Sequence, residues 1–507
     1  MSNQGRSLHL VRNAIANWTL FAFIVLVSFF LSPVVVQYLG ATGYGVWSLL
    51  AGLIGYVGLL DFGIRNAVNR YIAHHRAVDA HGESSSIVSA AIRLYGFLSI
   101  LAILLSGVFA YLAPIVFNIP EPLVTDSRII VVLGGLSVAV SLIGGVFGGV
   151  VSGLERFDIN CYLEMFVTAV RAIAIVLALR EGYGLVSLAC IHLAASIVYC
   201  VLFWVAAHKL YPELSLRYRG PLFQQMRTIL SFSVSLTVLY VFTQFIYYSD
   251  ALVIGAFLPI EAVTFFAIAG NLASQASGVA KSLANVMTPR VSALISMGSN
   301  RVGEEVLAVA KIATLVMTPI AATFMIRGES FITLWMGSAY GPASGEVLRI
   351  LAIVLWLTAS RSVAIQSLVG MARHRMLIPG FAVEAACNLA LSLILVRPLG
   401  IVGVALGTLI PSVVVNLGYI PLCLSKAIGV PVRLFHRSAL LLPTVACVPF
   451  ALASALIERY PPAENLAAFF MQVILMLPLV PVTAWFVCLT SREKEQIGSV
   501  LRGIVGP

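Results

Sequence analysis

Three basic residues stand deep in apolar stretches of this chain: Arg171, Lys281 and Arg361. A mid-membrane arginine costs roughly 2.5–3.5 kcal/mol on insertion scales, so each needs a carboxylate, water or an anionic ligand. Around Lys281, polar residues recur at helical spacing: Asn271, Ser274, Gly278 and Asn285. Upstream, Ser233, Thr237, Tyr240, Gln244 and Tyr247 do the same. Intervals of three and four residues put each set on one helix face. Such a stripe faces a water-filled cavity, or bonds to a neighbouring helix through its hydroxyls and amides. A cavity holding Arg171, Lys281 and Arg361 would carry surplus positive charge and suit an anion, phosphate above all. The alternative is internal pairing, since Glu164 lies on the same helix face as Arg171, about 10 Å along the axis.

A second cluster lies in "YVGLLDFGIRNAVNRYIA", residues 56–73, which places Asp61, Arg65, Asn66, Asn69 and Arg70 at the end of an apolar run. At 1.5 Å per residue Asp61 is roughly 27 Å deep, close to the far edge of a hydrocarbon layer about 30 Å thick. Asp61 and Arg65 are i,i+4 neighbours and are expected to pair on the helix surface. Asp61, Arg65, Asn69 and Arg70 then read either as a cytoplasmic gate or as interfacial anchors with snorkelling arginines. Asp250 lies too far along its helix from Lys281 for a direct bridge, roughly 20 Å before tilt.

The elements that hold these residues follow from composition. Of 507 residues, 60% are hydrophobic and only 10% charged, and mean hydropathy is +1.00. So little charge cannot cover a water-soluble surface. Apolar runs long enough to span a bilayer recur throughout, which predicts a polytopic all-α membrane protein of about fourteen helices. The formal charge of +10 is distributed by topology. Arg70 and Arg76, Lys209, Arg217 and Arg219, Arg373 and Arg375, and Lys426, Arg433 and Arg437 fall on one side. Arg128, Arg180, Arg327, Arg397 and Arg459 fall on the other. That is positive-inside bias with a cytoplasmic amino terminus, not a nucleic-acid footprint. Arg6 and Arg12 precede an apolar run longer than a signal-peptide core, so a retained first span is expected. The seven cysteines form no CxxC pair and read as packing residues, with no metal site or cofactor expected. Gly144, Gly145, Gly148, Gly149 and Gly153 repeat at four-residue intervals, which predicts close helix packing and not a phosphate loop. His192 reads as a hydrogen-bonded core histidine.

The two halves of the chain align at a displacement of about 217 residues. Arg180 falls on Arg397, "SGLERF" at 152–157 on "VGMARH" at 369–374, and Arg93 on Lys311. Six spans per unit enter the membrane the same way, a parallel repeat. The expected division is an N-lobe at 1–208, a linker at 209–221, a C-lobe at 222–426, and appended spans with a tail at 427–507. Connections are too short for a soluble catalytic domain.

The stretch "YLGATGYGVWSLLAGLIGYVGLLDFGIRNAVNRYIA" (38–73) resembles the second-span signature of bacterial polysaccharide repeat-unit flippases, in the multidrug/oligosaccharidyl-lipid/polysaccharide exporter superfamily. "LVGMARHRMLIPGFAVEAACNLALSLILVRPLGIVGVALGT" (368–408) is similar to that family's pattern for spans 10–12, and "DALVIGAFLPIEAVTFFAIAGNLAS" (250–274) to its corner between spans 7 and 8. The resemblance implies two six-helix lobes in a MATE-like V plus two C-terminal helices, in the bacterial inner membrane. It implies a polyprenyl-pyrophosphate-linked glycan as substrate, membrane lipid as surroundings, polysaccharide polymerase or export machinery as candidate partners, and no catalysis. By motif position it singles out Asp61, Arg65, Lys281 and Asn388. Ion coupling, also implied, would fall to the deep acids Glu164, Asp250 and Glu384. A flippase for the peptidoglycan lipid precursor and a cation-coupled drug exporter share the implied fold. A membrane polymerase or glycosyltransferase would need an acidic catalytic loop that the short connections do not supply.

Overall fold

In lipid each backbone N–H and C=O must be satisfied within the protein, which leaves helices as the building material of a chain this apolar. The computed structural model describes residues 3–77, 81–216, 222–460, 462–491 and 493–495, and no strand occurs among them. Arg217 and Arg219, and the side chain of Ser233, fall outside the described parts.

The first helices are α1 (Asn3–Val57), α2 (Ile64–Ala77), α3 (His81–Val116), α4 (Val124–Gly153), α5 (Phe157–Arg180), α6 (Leu185–Leu210) and α7 (Leu222–Phe257). They continue with α8 (Ile260–Asn285), α9 (Met287–Ser296), α10 (Val302–Met336), α11 (Gly341–Gly370), α12 (Ile378–Val414) and α13 (Ile420–Ile428). Shorter pieces follow: α14 (Val432–Phe435), α15 (Leu442–Ala446), α16 (Val448–Arg459), α17 (Leu466–Met476) and α18 (Leu479–Val487).

Eleven helical stretches among the described residues are long and apolar enough to cross a membrane. Two of these fold back at a glycine. Gly40 in α1 (φ 68°) and Gly400 in α12 (φ 59°) take a backbone conformation open mainly to glycine, so each long stretch is two helices joined at a corner. α8, with its polar stripe, is 26 residues long, enough to cross a hydrocarbon layer. The architecture is therefore all-α and compatible with fourteen crossings.

The chain divides into two compact units, Met1–Thr264 and Phe265–Pro507. In the first unit, Ile64, Val68 and Ile72 of α2 pack with Ile87, Ala91 and Tyr95 of α3 and with Val146 and Val150 of α4. Glycine makes this approach possible. A Cβ on Gly149 would lie 2.8 Å from the Arg65 carbonyl oxygen, and one on Gly153 would lie 2.8 Å from that of Asn69. The four-residue glycine repeat thus seats α2 directly on the α4 backbone, as its spacing requires.

α4 and α11 are each 30 residues long, and their first and last residues stand about 217 positions apart. Their ends close identically. Glu155 N–H donates to Ser152 O at 2.9 Å and Arg156 N–H to Val151 O at 3.2 Å; Ala372 N–H donates to Val369 O at 2.9 Å and Arg373 N–H to Leu368 O at 2.8 Å. Both are Schellman closures, with Glu155 (φ 61°) and Ala372 (φ 56°) in the left-handed position that glycine usually fills. Gly370 copies Gly153: its Cβ would meet the Thr288 carbonyl oxygen at 2.6 Å.

In the second unit the C-terminal helices are pinned to α10 near both ends. Arg327, fully buried, donates from Nε to Glu458 at 2.7 Å and from Nη2 to Gln472 at 2.5 Å, and lies 4.4 Å over the Phe469 ring. Sixteen residues earlier, roughly 24 Å along the helix, Lys311 Nζ donates to both carboxylate oxygens of Glu493 at 2.7 and 2.9 Å. Arg327, a connection residue by sequence, is a buried helix–helix lock; it lies inside α10, which runs on to Met336.

Candidate functional site

The polar residues singled out by spacing fall into two clusters, one in each unit. In the first, α1, α4, α5 and α6 enclose a cavity of 540 Å³. Along α1 and its continuation it is lined by Trp47, Ile54, Gly58, Asp61 and Arg65; α4 contributes Ser137, Ser141 and Gly145. Val167 and Arg171 reach it from α5, His192, Ser196 and Tyr199 from α6. The small residues on α4 leave the room, and the cations enter from α2 and α5.

Asp61 and Arg65 do not share one helix face. α1 ends at Val57; a 3-10 turn covers Gly58–Asp61, and Phe62 (φ 46°) and Gly63 (φ 68°) turn the chain left-handed before α2 begins at Ile64. The expected i,i+4 pair is therefore replaced by two separate partnerships. The Tyr95 hydroxyl donates to Asp61 Oδ1 and accepts from the Arg65 backbone N–H at 3.2 Å. The Arg65 guanidinium donates from Nη2 to Glu164 Oε1 at 3.3 Å. Glu164 is thereby spoken for, and the pairing of Glu164 with Arg171 weighed from sequence does not form. Among the described residues no carboxylate pairs with Arg171, which lines the cavity beside His192, whose ring lies 5.4 Å from that of Trp47. His192 thus faces the cavity and not a closed core. Of the residues read as a gate, Asp61 and Arg65 line the chamber itself. Asn69 lies against Gly153 with its carbonyl, and Arg70 is exposed on α2.

α7 packs on α1 in the same unit. The Tyr248 ring sits on Gly55, and Thr237 Oγ1 donates to the Phe62 carbonyl at 2.8 Å. Gln244 Nε2 donates to Tyr248 Oη at 3.2 Å, while Tyr240 is half exposed. Asp250 is buried near the other end of α7, within electrostatic reach of Tyr56.

In the second unit Arg361 of α11 is held in a bidentate pair, Nη1 and Nη2 donating to the two oxygens of Glu384 at 2.7 and 2.9 Å, with its guanidinium 4.6 Å over the Phe381 ring. Its charge is neutralised, which removes it from the surplus that sequence counting assigned to it. Lys281 on α8 is exposed and has no carboxylate partner among the described residues. Asn271 is half buried on the same helix. Asn285 Oδ1 accepts from Gln366 Nε2 at 3.0 Å. Asn388, fully buried, donates to Thr408 Oγ1 at 3.0 Å and ties the two arms of α12 together. In this structure it is a packing contact and not a cavity wall. Of the three deep cations, Arg171 and Lys281, one in each unit, have no carboxylate partner among the described residues.

Residues 10–295 match the family described as polysaccharide biosynthesis proteins. A Shigella flexneri protein named as an O-antigen transporter is 19% identical over 410 residues, 79% of this chain and 94% of that protein. Among solved structures, the lipid II flippase MurJ in an inward closed conformation superposes with a TM-score of 0.69 at 15% identity, covering 94% of this chain and 98% of that one. An inward-facing multidrug resistance transporter of the MATE family gives a TM-score of 0.61 at 15% identity over 84% of this chain and 99% of that one. At such identities these two likenesses speak to the fold.

Proposed function

We propose that this chain, which belongs to the polysaccharide biosynthesis protein family, is a flippase that carries polyprenyl-pyrophosphate-linked oligosaccharide from the cytoplasmic to the outer leaflet of a bacterial inner membrane. One observation carries the reading: Arg171 and Lys281 stand on apolar helices with no carboxylate to neutralise them among the described residues, so each offers its charge to an anion. A pyrophosphate headgroup supplies that anion while its polyprenyl tail stays in lipid. Trp47, His192 and the serines of α4 give the cavity an amphipathic wall suited to sugar rings.

Movement by alternating access of the lobes 1–208 and 222–426, with the amino terminus inside, fits the repeat and the charge bias. Of the three acids considered for ion coupling, Glu164 and Glu384 are held by arginines, so a coupling proton or cation reaches either only after its arginine lets go. Asp250 is buried in α7. A reading as a flippase for the peptidoglycan lipid precursor draws support from the MurJ-like fold, and it differs in outcome: depletion would then block wall synthesis.

Depletion of the protein tests the assignment. Lipid-linked repeat units should accumulate on the cytoplasmic side while surface polysaccharide falls. Normal surface polysaccharide with no accumulated intermediate would end the assignment.

A further inference from the structure

Because α4 and α11 share length and cap geometry, positions in the two units can be matched at a displacement of about 217 residues. On that register Arg361 stands where α4 has Gly144, and Glu384 where α5 has Val167, a residue lining the first-unit cavity. Arg171 corresponds to Asn388. The Glu384 carboxylate of the second unit therefore stands at a position that borders the cavity in the first, while Gly144, the counterpart of Arg361, packs on Tyr199 and Cys200 of α6. The pair is not a generic packing solution. Nη1 donates to one Glu384 carboxylate oxygen at 2.7 Å and Nη2 to the other at 2.9 Å, and the Glu384 side chain is 3% exposed against 14% for Arg361.

Arginine binds carboxylate and phosphate with the same two-pronged geometry. From this we propose that Glu384 is a built-in stand-in for the substrate's pyrophosphate, occupying Arg361 until the anionic headgroup displaces it. In the exchange two N–H bonds to carboxylate oxygens break and two to phosphate oxygens form, and the released Glu384 carboxylate takes up a proton from water so that it is not left buried as an unpaired anion. Lys281, which lies within electrostatic reach of Arg361, contributes the second positive charge that a pyrophosphate needs and a single carboxylate does not use. This inference rests on the flippase reading above and assigns to one residue the task of keeping the second-unit site shut when no substrate is present.

A site whose cation is held by an internal competitor shows an affinity reduced by the fraction of time it is free. Purified Glu384→Gln protein in lipid nanodiscs should therefore bind inorganic pyrophosphate about tenfold more tightly than wild type by calorimetry. Adding Arg361→Leu should abolish the gain. Unchanged or weaker binding in Glu384→Gln, at an unchanged melting temperature, would overturn the inference. Should that variant melt early, the double variant R361L/E384L decides. A purely structural ion pair can be replaced by leucines without loss, so normal transport there overturns the inference, and lost transport with normal membrane insertion and melting supports it. The flippase reading fails separately, through the depletion experiment with unmodified protein. A protein that passes depletion yet shows no gain in Glu384→Gln keeps its function and loses this device.

Discussion

The α4–α5 corner of the first unit and the α11–α12 corner of the second have one backbone and two chemistries. Both end a 30-residue helix in a Schellman closure, and both let a neighbouring helix carbonyl rest on a glycine, Gly153 or Gly370. The first then places small residues along α4 and leaves a cavity with Arg171 on its wall and no carboxylate paired to it among the described residues; the second carries Arg361 and Glu384 at the positions matched to Gly144 and Val167. The frame is thus set by caps and glycines, and the charge each half presents is set by two or three side chains laid on it.

The largest effect expected from breaking this comparison is on transport. Arg171→Ala should cut export of lipid-linked glycan about tenfold or more, the loss of at least about 1.4 kcal/mol of anion binding. Membrane insertion should be unaffected, and accumulation of the lipid-linked intermediate is the measurement. Next come the two close approaches. Gly153→Leu and Gly370→Leu should each cost about 1–3 kcal/mol through overpacking, read as lowered melting temperature in detergent. A large loss at one and none at the other would mean the frames are not equivalent.

A gain is expected at the cap. Ala372→Gly relieves a left-handed residue and should stabilise the second unit by about 1 kcal/mol. The smallest effect concerns what the first unit lacks. Arg93 is exposed, whereas its counterpart Lys311 is buried beneath the C-terminal segment. Burial pushes the Glu493 carboxyl up, but hydrogen bonds from Lys311 and from the amide and hydroxyl of Thr490 outweigh it and hold the group below its ordinary value. A depressed carboxyl contributes its stabilisation fully above the unfolded value and loses it as pH falls through the folded one. Limited proteolysis should leave residues near 493 protected at neutral pH and expose them at pH below the usual carboxylate range.

Much of this is legible in the sequence. Helix content follows from apolar runs, a closely packed face on α4 from the four-residue glycine interval, and the matched corners from "SGLERF" and "VGMARH". The pairings are not. Asp61 and Arg65 are four apart, but Gly58 and Gly63 bracket a break that turns Arg65 toward Glu164, ninety-nine residues away. Arg361 and Glu384 lie on different helices, and nothing in a one-dimensional pattern says which cation a buried acid will meet. Arg327 was missed because an arginine near a span end looks interfacial; its signal is Glu458, a carboxylate near the end of another apolar helix.

The two buried attachments of the C-terminal helices to α10 have a practical consequence. Held by Arg327 to Glu458 and Gln472 and by Lys311 to Glu493, at points roughly 24 Å apart, α10 should carry α16 and α17 with it when it tilts. A spin label or fluorophore on the α16–α17 turn would read such tilting from outside the transport path. Cutting Glu458 free would uncouple the reporter from the motion it records.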